Sequence, residues 1–148
     1  MTTMAKICVA TAGVLVSFSS LSALDDAHWQ KAHDAMERGL DHLRQVQRAD
    51  GSWSPQPGPA ITAMVLSVML DRPNISPSDE TAQKALAIIL SKRRDDGGIH
   101  DGFLQNYNTA ICLSTLARVH DREGIAEAIR EGQNFLRELQ WYSQPDPI

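Results

Sequence analysis

Residues 100–110, HDGFLQNYNTA, form the polar stretch of this chain that is best suited to meet a ligand. They join a glycine-containing turn to an apolar segment, and loops in such positions often carry function. A second interpretation, which we favour, is that Asn108 caps a helix while Asn106 and Tyr107 satisfy loop backbone groups. The candidate ligand-binding residues are His100, Asp101, Asn106, Tyr107 and Asn108.

Two adjacent carboxylic acids, Asp95 and Asp96, are a second candidate for chemistry because such groups can donate protons. They precede Gly97, just as Asp50 precedes Gly51 earlier in the chain. Since Asp-Gly pairs commonly form turns, we interpret both pairs as turns, and no catalytic residue is assigned.

The sequence does not predict a metal site. Cys112 is the only cysteine after residue 23, and it lies in an apolar segment, where a thiol usually behaves as a small hydrophobic side chain. The histidines are scattered and do not have the spacing of zinc ligands. We therefore expect no metal and no cofactor.

Residues 1–23 are predicted to be an export signal. Lys6 is followed by the 12-residue apolar run ICVATAGVLVSF and then by small residues near Ser22 and Ala23 that suit cleavage. A membrane span needs about 20 apolar residues, so no stable transmembrane anchor is expected. A buried N-terminal helix is the alternative. On the first interpretation residues 24–148 are exported, to the periplasm or the medium.

The composition is that of one modest globular domain, with 43% hydrophobic and 22% charged residues. The formal net charge is −4 and no basic cluster is present. A nucleic-acid partner is therefore not expected.

The chain contains an internal repeat with a period of about 46 residues. Asp50-Gly51 aligns with Asp96-Gly97, and Thr62-Ala63 aligns with Thr109-Ala110 after a slip of one residue. This period is typical of helical arrays. The predicted units are about 25–71, 72–120 and 121–148.

Each complete unit is predicted to hold an amphipathic outer helix and an apolar inner helix. The outer helices show apolar stripes, the first through Trp29, Ala32, Met36 and Leu40, and the inner segments 61–70 and 109–119 are apolar nearly all round. Ser76 and Asp121 are the predicted N-caps of the second and third outer helices. No inner helix follows Gln140, so about two and a half units are expected.

The first outer helix ends in a motif that resembles the QW repeat of squalene cyclases and prenyltransferases. It is carried by Arg38, Gly39, Leu43, Gln47, Gly51 and Trp53. The second unit departs from it, with Arg93 in place of Gln and Ile99 in place of Trp.

The resemblance implies an all-α fold, an α/α toroid of the terpenoid cyclase type in which about six helix pairs close a barrel. The chain would then be an N-terminal portion or a truncated member, with residues 100–110 at one mouth of the barrel. In the motif, Gly51 would permit the turn, Gln47 would bind backbone groups at helix ends, and Trp53 would cover that amide.

The resemblance leaves catalysis uncertain, because the acid motif of the cyclases (D-x-D-D) and the zinc ligands of the prenyltransferases are both missing. We expect an exported repeat protein that binds a ligand, such as a hydrophobic small molecule, or a protein partner, without catalysis of its own. One alternative is a fragment of a cyclase (isomerase) or transferase whose catalytic residues lie in further repeats. Another is self-association through the inner helices 61–70 and 109–119, since a partial barrel leaves them partly uncovered.

Overall fold

The computed structural model describes residues 25–54, 56 and 58–140. The predicted export signal, with Cys8, lies outside the described residues. The described part forms five α-helices and no strand, which confirms the all-α prediction. The helices are α1 (Asp26–Gln45), α2 (Ala60–Leu70), α3 (Glu80–Leu90), α4 (Gln105–Leu116) and α5 (Ile125–Glu138), with a 3-10 turn at Ala117–Val119.

The core lies around the two apolar helices. α2 and α4 pack against each other, α3 packs on α2, and α5 packs on α4. Leu66, Ile89 and Leu116 are fully buried where these helices meet. The apolar stripes of α3 and α5 face this core, as their spacing predicts, through Ala82, Ala85, Leu86, Ile89, Ile125, Ala128 and Phe135.

The first outer helix departs from the prediction. Leu40 is the only buried residue of α1, and Trp29 is 60% exposed. The predicted stripe is therefore wrong for Trp29, Ala32 and Met36, all of which are exposed. The physical reason is that α3 and α5 each lie on an inner helix, whereas most of α1 contacts no described helix in that way.

Two predicted helix starts are also wrong. α3 begins at Glu80 with Asp79 as its N-cap, and the Asp79 carboxylate accepts a hydrogen bond from Ser76 N at 3.0 Å. Ser76 thus belongs to the turn that precedes the helix. The N-cap of α5 is Gly124, with φ of 76°, and not Asp121, because the chain enters α5 through a left-handed turn that glycine adopts without strain.

The two Asp-Gly turns make matching hydrogen bonds. In each, a carboxylate accepts from the backbone N–H two residues later, one backbone pair closes the turn, and a threonine hydroxyl of the following inner helix accepts from the backbone. The first turn has Ser52 N to Asp50 Oδ1 (3.0 Å), Arg48 N to Ser52 O (2.9 Å) and Trp53 N to Thr62 Oγ1 (3.4 Å). The second has Gly98 N to Asp96 Oδ1 (2.9 Å), Arg94 N to Gly98 O (2.8 Å) and Ile99 N to Thr109 Oγ1 (2.9 Å). Asp96 is therefore a turn residue, as we interpreted it.

Each turn presses its glycine against the next outer helix. Gly51 has φ of 90°, and a Cβ there would lie 2.5 Å from the carbonyl oxygen of Lys84 in α3. Gly97 has φ of 86°, and a Cβ there would lie 2.8 Å from the carbonyl oxygen of Glu131 in α5. Only glycine fits both the conformation and the close approach.

Side chains fasten the same junctions. Gln47 Nε2 donates to Gly51 O at 3.0 Å and to Thr81 O, in the first turn of α3, at 2.9 Å. Trp53 is partly buried, and its indole N–H donates to Leu43 O in the last turn of α1 at 2.7 Å. In the second turn Arg93 reaches Glu131 of α5 at 2.7 Å. The two Asp-Gly turns are thus fastened to the following helix by different side chains, an amide (Gln47) at the first and an ion pair (Arg93 with Glu131) at the second.

We expect Gly51→Ala to destabilise the fold far more than Gly102→Ala. Gly102 also has positive φ, 86°, but nothing lies within 4 Å of its hypothetical Cβ. Gly102→Ala should therefore cost about 1–2 kcal/mol of unfolding free energy through backbone strain, and Gly51→Ala roughly 1–3 kcal/mol more through steric overlap. Urea denaturation measures both, and equal losses would contradict the close approach.

Candidate functional site

His100, the first of the predicted ligand-binding residues, is a packing residue. It is 3% exposed, its ring centroid lies 5.5 Å from that of Phe135, and its Nδ1 accepts a hydrogen bond from Gly102 N at 3.0 Å. Its Nε2 is buried without a hydrogen-bond partner, with Asp96 Oδ2 3.8 Å away. The imidazole is therefore enclosed in the protein and does not face a ligand.

Asp101 connects the two loops that precede α2 and α4. Its carboxylate accepts a hydrogen bond from Gly58 N at 3.2 Å and pairs with Lys92 Nζ at 3.0 Å. Burial raises the pKa of Asp101, but Lys92 and the Gly58 N–H outweigh burial, so the pKa lies below its usual value. The carboxylate is thus committed to holding the loops together.

Asn108 binds three backbone groups and is almost fully buried. Its Oδ1 accepts from Ala60 N, the first residue of α2, at 3.1 Å. Its Nδ2 donates to Phe103 O at 2.9 Å and to Leu104 O at 3.2 Å. The predicted cap of α4 is wrong, because Asn108 lies inside α4, whose N-cap is Leu104, and its side chain caps the neighbouring helix α2.

Asn106 and Tyr107 lie in the first turn of α4 and are exposed. The predicted loop is therefore shorter than expected, because α4 already begins at Gln105. Phe103 and Leu104 are exposed beside them, and Leu104 has the left-handed conformation with φ of 45°. The five predicted residues do not converge on one cavity, since three hold the fold together and two face solvent.

A polar cavity of about 370 Å³ lies beside Asp101, and its charged lining was not predicted. Its cations are Arg48 and Lys92, which lie 3.8 Å from Asp50 and 3.0 Å from Asp101. Each cation therefore has a carboxylate partner. A basic residue next to an Asp-Gly turn is the only signal in the sequence that could have found this cavity.

An exposed apolar surface lies on the outer edge of α1 and α2. Ile61, Met64 and Val68 follow one another at spacings of three and four, so they share one side of α2. We call this side of α2, with Met36 and Gly39 of α1 near its Val68 end, the open face. A groove of about 520 Å³ lies at the Val68 end, lined by Met36, Gly39, Leu40, His42, Leu43, Val68, Asp71 and Arg72.

The matching side of α4 is covered. The positions 47 residues after Ile61, Met64 and Val68 are Asn108, Ile111 and Thr115. Two of these contact α2 directly, through Asn108 Oδ1 to Ala60 N at 3.1 Å and Thr115 Oγ1 to Ala63 O at 2.9 Å. α2 thus exposes the side that α4 buries against its neighbour. The prediction that the inner helices are partly uncovered holds in apolar form for α2, whereas the exposed residues of α4 are Gln105, Asn106, Tyr107 and Ser114.

The remaining candidate for chemistry is inert. Cys112 is buried, and burial raises the pKa of its thiol to about 12. Within residues 25–54, 56 and 58–140, no group of three or more His, Cys, Asp and Glu side chains is arranged to hold a metal ion. In the same part of the chain, no helix has both the length and the apolar character needed to cross a membrane.

Comparisons with profiles of protein families, with characterised proteins and with solved structures found no match to this chain.

We expect Asn108→Ala to lower the unfolding free energy by roughly 2–4 kcal/mol, because it leaves the buried Ala60 N–H without its acceptor and Phe103 O without its amide donor. Asn106→Ala, two residues away and exposed, should change it by less than about 0.5 kcal/mol. Chemical denaturation of both variants measures the difference. A similar loss of unfolding free energy for both variants would contradict the assignment of Asn108 as a buried structural residue and Asn106 as an exposed one.

We also expect Leu104→Gly to stabilise the protein by up to about 1 kcal/mol. Glycine relieves a left-handed strain of about 1–2 kcal/mol but adds an entropic cost of about 0.5–1 kcal/mol. Leu104 is exposed, so little burial is lost. A fall in thermal stability would show that the Leu104 side chain makes contacts that outweigh the strain.

Proposed function

We propose that the protein is a helical-repeat scaffold of the squalene cyclase and prenyltransferase type, an N-terminal portion or a truncated member of such a toroid, that binds a partner helix and does not itself catalyse a reaction. The open face is the proposed docking site.

The matching Asp-Gly turns support the repeat. Both turns carry the same backbone hydrogen bonds, and both place a glycine against the next outer helix. The order outer, inner, outer, inner, outer of α1 to α5 agrees with units built in this way.

The use of the polar side chains supports a scaffold. Asp50 and Asp96 cap turns, Asp101 joins two loops, and Asn108 caps α2. Groups that could have performed chemistry are therefore occupied by structural hydrogen bonds.

The observation that carries the proposal is the exposed stripe on α2. Val68 is 55% exposed, and Ile61 and Met64 are 38% and 39% exposed. A contiguous apolar surface of this kind on a folded protein marks an interaction site. Its i, i+3, i+7 spacing is that of the anchor residues through which one helix packs its apolar side against a partner.

The chemistry of the partner follows from the α2–α4 contact. The side of α4 that packs on α2 meets Ala60 and Ala63, small residues that allow close approach. The charged pair Arg72–Glu37, at 3.0 Å, lies at the rim of the groove. The partner is therefore expected to be an apolar helix with small residues on its contact side.

The open face can be tested on a chain that begins at Leu24. This chain contains all the described residues, which have their own buried core, and it is expected to fold. A fluorescent apolar dye such as anilinonaphthalene sulfonate should bind it, and Val68→Asp should reduce that binding several-fold. The unfolding free energy should change by less than about 1 kcal/mol, because Val68 is largely exposed.

Ser114→Asp is the matched control, since Ser114 is an exposed residue in the last turn of α4. It should leave dye binding unchanged. Light scattering on the same samples tests for dimers, and dimers that Val68→Asp dissolves would also support the open face as a docking site. Dye binding and association that are both insensitive to Val68→Asp would refute the proposal.

A further inference from the structure

The outer helix α1 lacks a neighbour that α3 and α5 possess. α3 lies on the preceding inner helix α2, and α5 lies on the preceding inner helix α4. Among the described helices none precedes α1. In the described part of the chain, no helix therefore occupies the place of an inner helix before α1, and the open face borders that place.

Two equivalent glycines show the same difference locally. A Cβ on Gly132 of α5 would lie 2.7 Å from Leu113 Cδ2 of α4. Gly39 holds the corresponding position in α1, and nothing lies within 4 Å of its hypothetical Cβ. Gly132 is small because an inner helix packs closely against it, and Gly39 has the same size without such a contact.

The sequence before α1 contains a third copy of the inner-helix pattern. Thr11-Ala12 followed by Leu15 repeats Thr62-Ala63 followed by Leu66, and Thr109-Ala110 followed by Leu113. Of the positions in the two described copies, all are buried except Ala110, which is partly buried. The positions of the further buried residues Ala60 and Met69 correspond to Val9 and Phe18, which are apolar.

We propose that residues 7–18 dock on the open face as the inner helix that precedes α1, so that the face is free for another partner only in a chain that lacks them. This inference rests on the proposed function, because it names the first occupant of the same docking site and the event that would free it.

The length of the chain between this segment and α1 fits the topology. The connections from an inner element to the next outer helix are residues 71–79, nine residues, and residues 120–124, five residues. Residues 19–25, seven residues, separate Phe18 from the start of α1 at Asp26. The segment could therefore occupy the same position relative to α1 that α2 occupies relative to α3.

The outer side of the segment also fits a terminal helix. The positions that correspond to the exposed Ile61, Met64 and Val68 are Ala10, Gly13 and Ser17. These residues are small or polar, so docking would cover one apolar stripe without presenting another. End units of helical arrays commonly present such a surface to solvent.

The predicted export signal, residues 1–23, includes this segment. The two assignments are compatible, because the segment would dock in the chain before the signal is cleaved. Cleavage near Ser22 or Ala23 would remove the occupant and uncover the open face.

The test compares the full chain, checked to be intact by mass spectrometry, with the chain that begins at Leu24. We expect the full chain to bind several-fold less apolar dye and to melt at a higher temperature, because it buries the stripe of α2. Leu15→Asp in the full chain should restore the dye binding and lower melting temperature of the shorter chain. Ser17→Asp, two residues away on the predicted outer side, should leave both unchanged.

A second measurement removes any dependence on how the full chain folds. A labelled peptide of residues 6–20, with Cys8→Ser, should bind the chain that begins at Leu24 in fluorescence anisotropy. Val68→Asp in that chain should weaken the peptide's binding at least tenfold, whereas Ser114→Asp should not.

Equal dye binding by the full and shorter chains would overturn the inference. So would equal effects of Leu15→Asp and Ser17→Asp, a peptide whose binding does not depend on Val68, or a full chain that is a dimer in light scattering and becomes a monomer with Val68→Asp. In each of these cases the proposed docking site stands if Val68→Asp still removes dye binding from the shorter chain. If it does not, the proposed function itself fails.

Discussion

The close approach of two backbones at each Asp-Gly turn is the contact on which the arrangement of helices depends. Gly51 and Gly97 can lie against the carbonyl groups of Lys84 and Glu131 only because they have no Cβ. Since the carboxylates of Asp50 and Asp96 fix the shape of each turn, the turn before α2 helps to position α3, and the turn before α4 helps to position α5. The packing of the helices against one another then determines the rest of their arrangement.

The sequence predicts most of the fold because its local signals and its packing agree. The stripes of α3 and α5 predict which sides are buried, and the Asp-Gly pairs predict the turns. The stripe of α1 failed because periodicity reports which side of a helix is apolar, and burial of that side also requires a neighbour. Trp29 and Met36 have the correct spacing and no described helix to cover them.

The site was harder to predict, because hydrogen bonds between distant segments leave no local pattern. Nothing near Asn108 in sequence shows that its amide caps α2, whose first residue lies 48 positions away. Asp101 likewise meets Gly58 across 43 positions. An alignment of the two units could locate these residues, but their partners were visible only once the helices were placed. The uncovered apolar side of α2 was part of the sequence prediction, because two and a half predicted units contain too few helices to cover both inner helices.

The separation of the core into two clusters has a consequence for motion. The main cluster joins α2 to α5, whereas α1 is held by a small cluster of Leu40, Met69 and Ile75. Regions with few buried contacts open with less free energy than the molecule as a whole. In the described part of the chain, α1 should therefore exchange its amide hydrogens through a local opening that leaves the other four helices intact, which makes α1 the most mobile of the five helices.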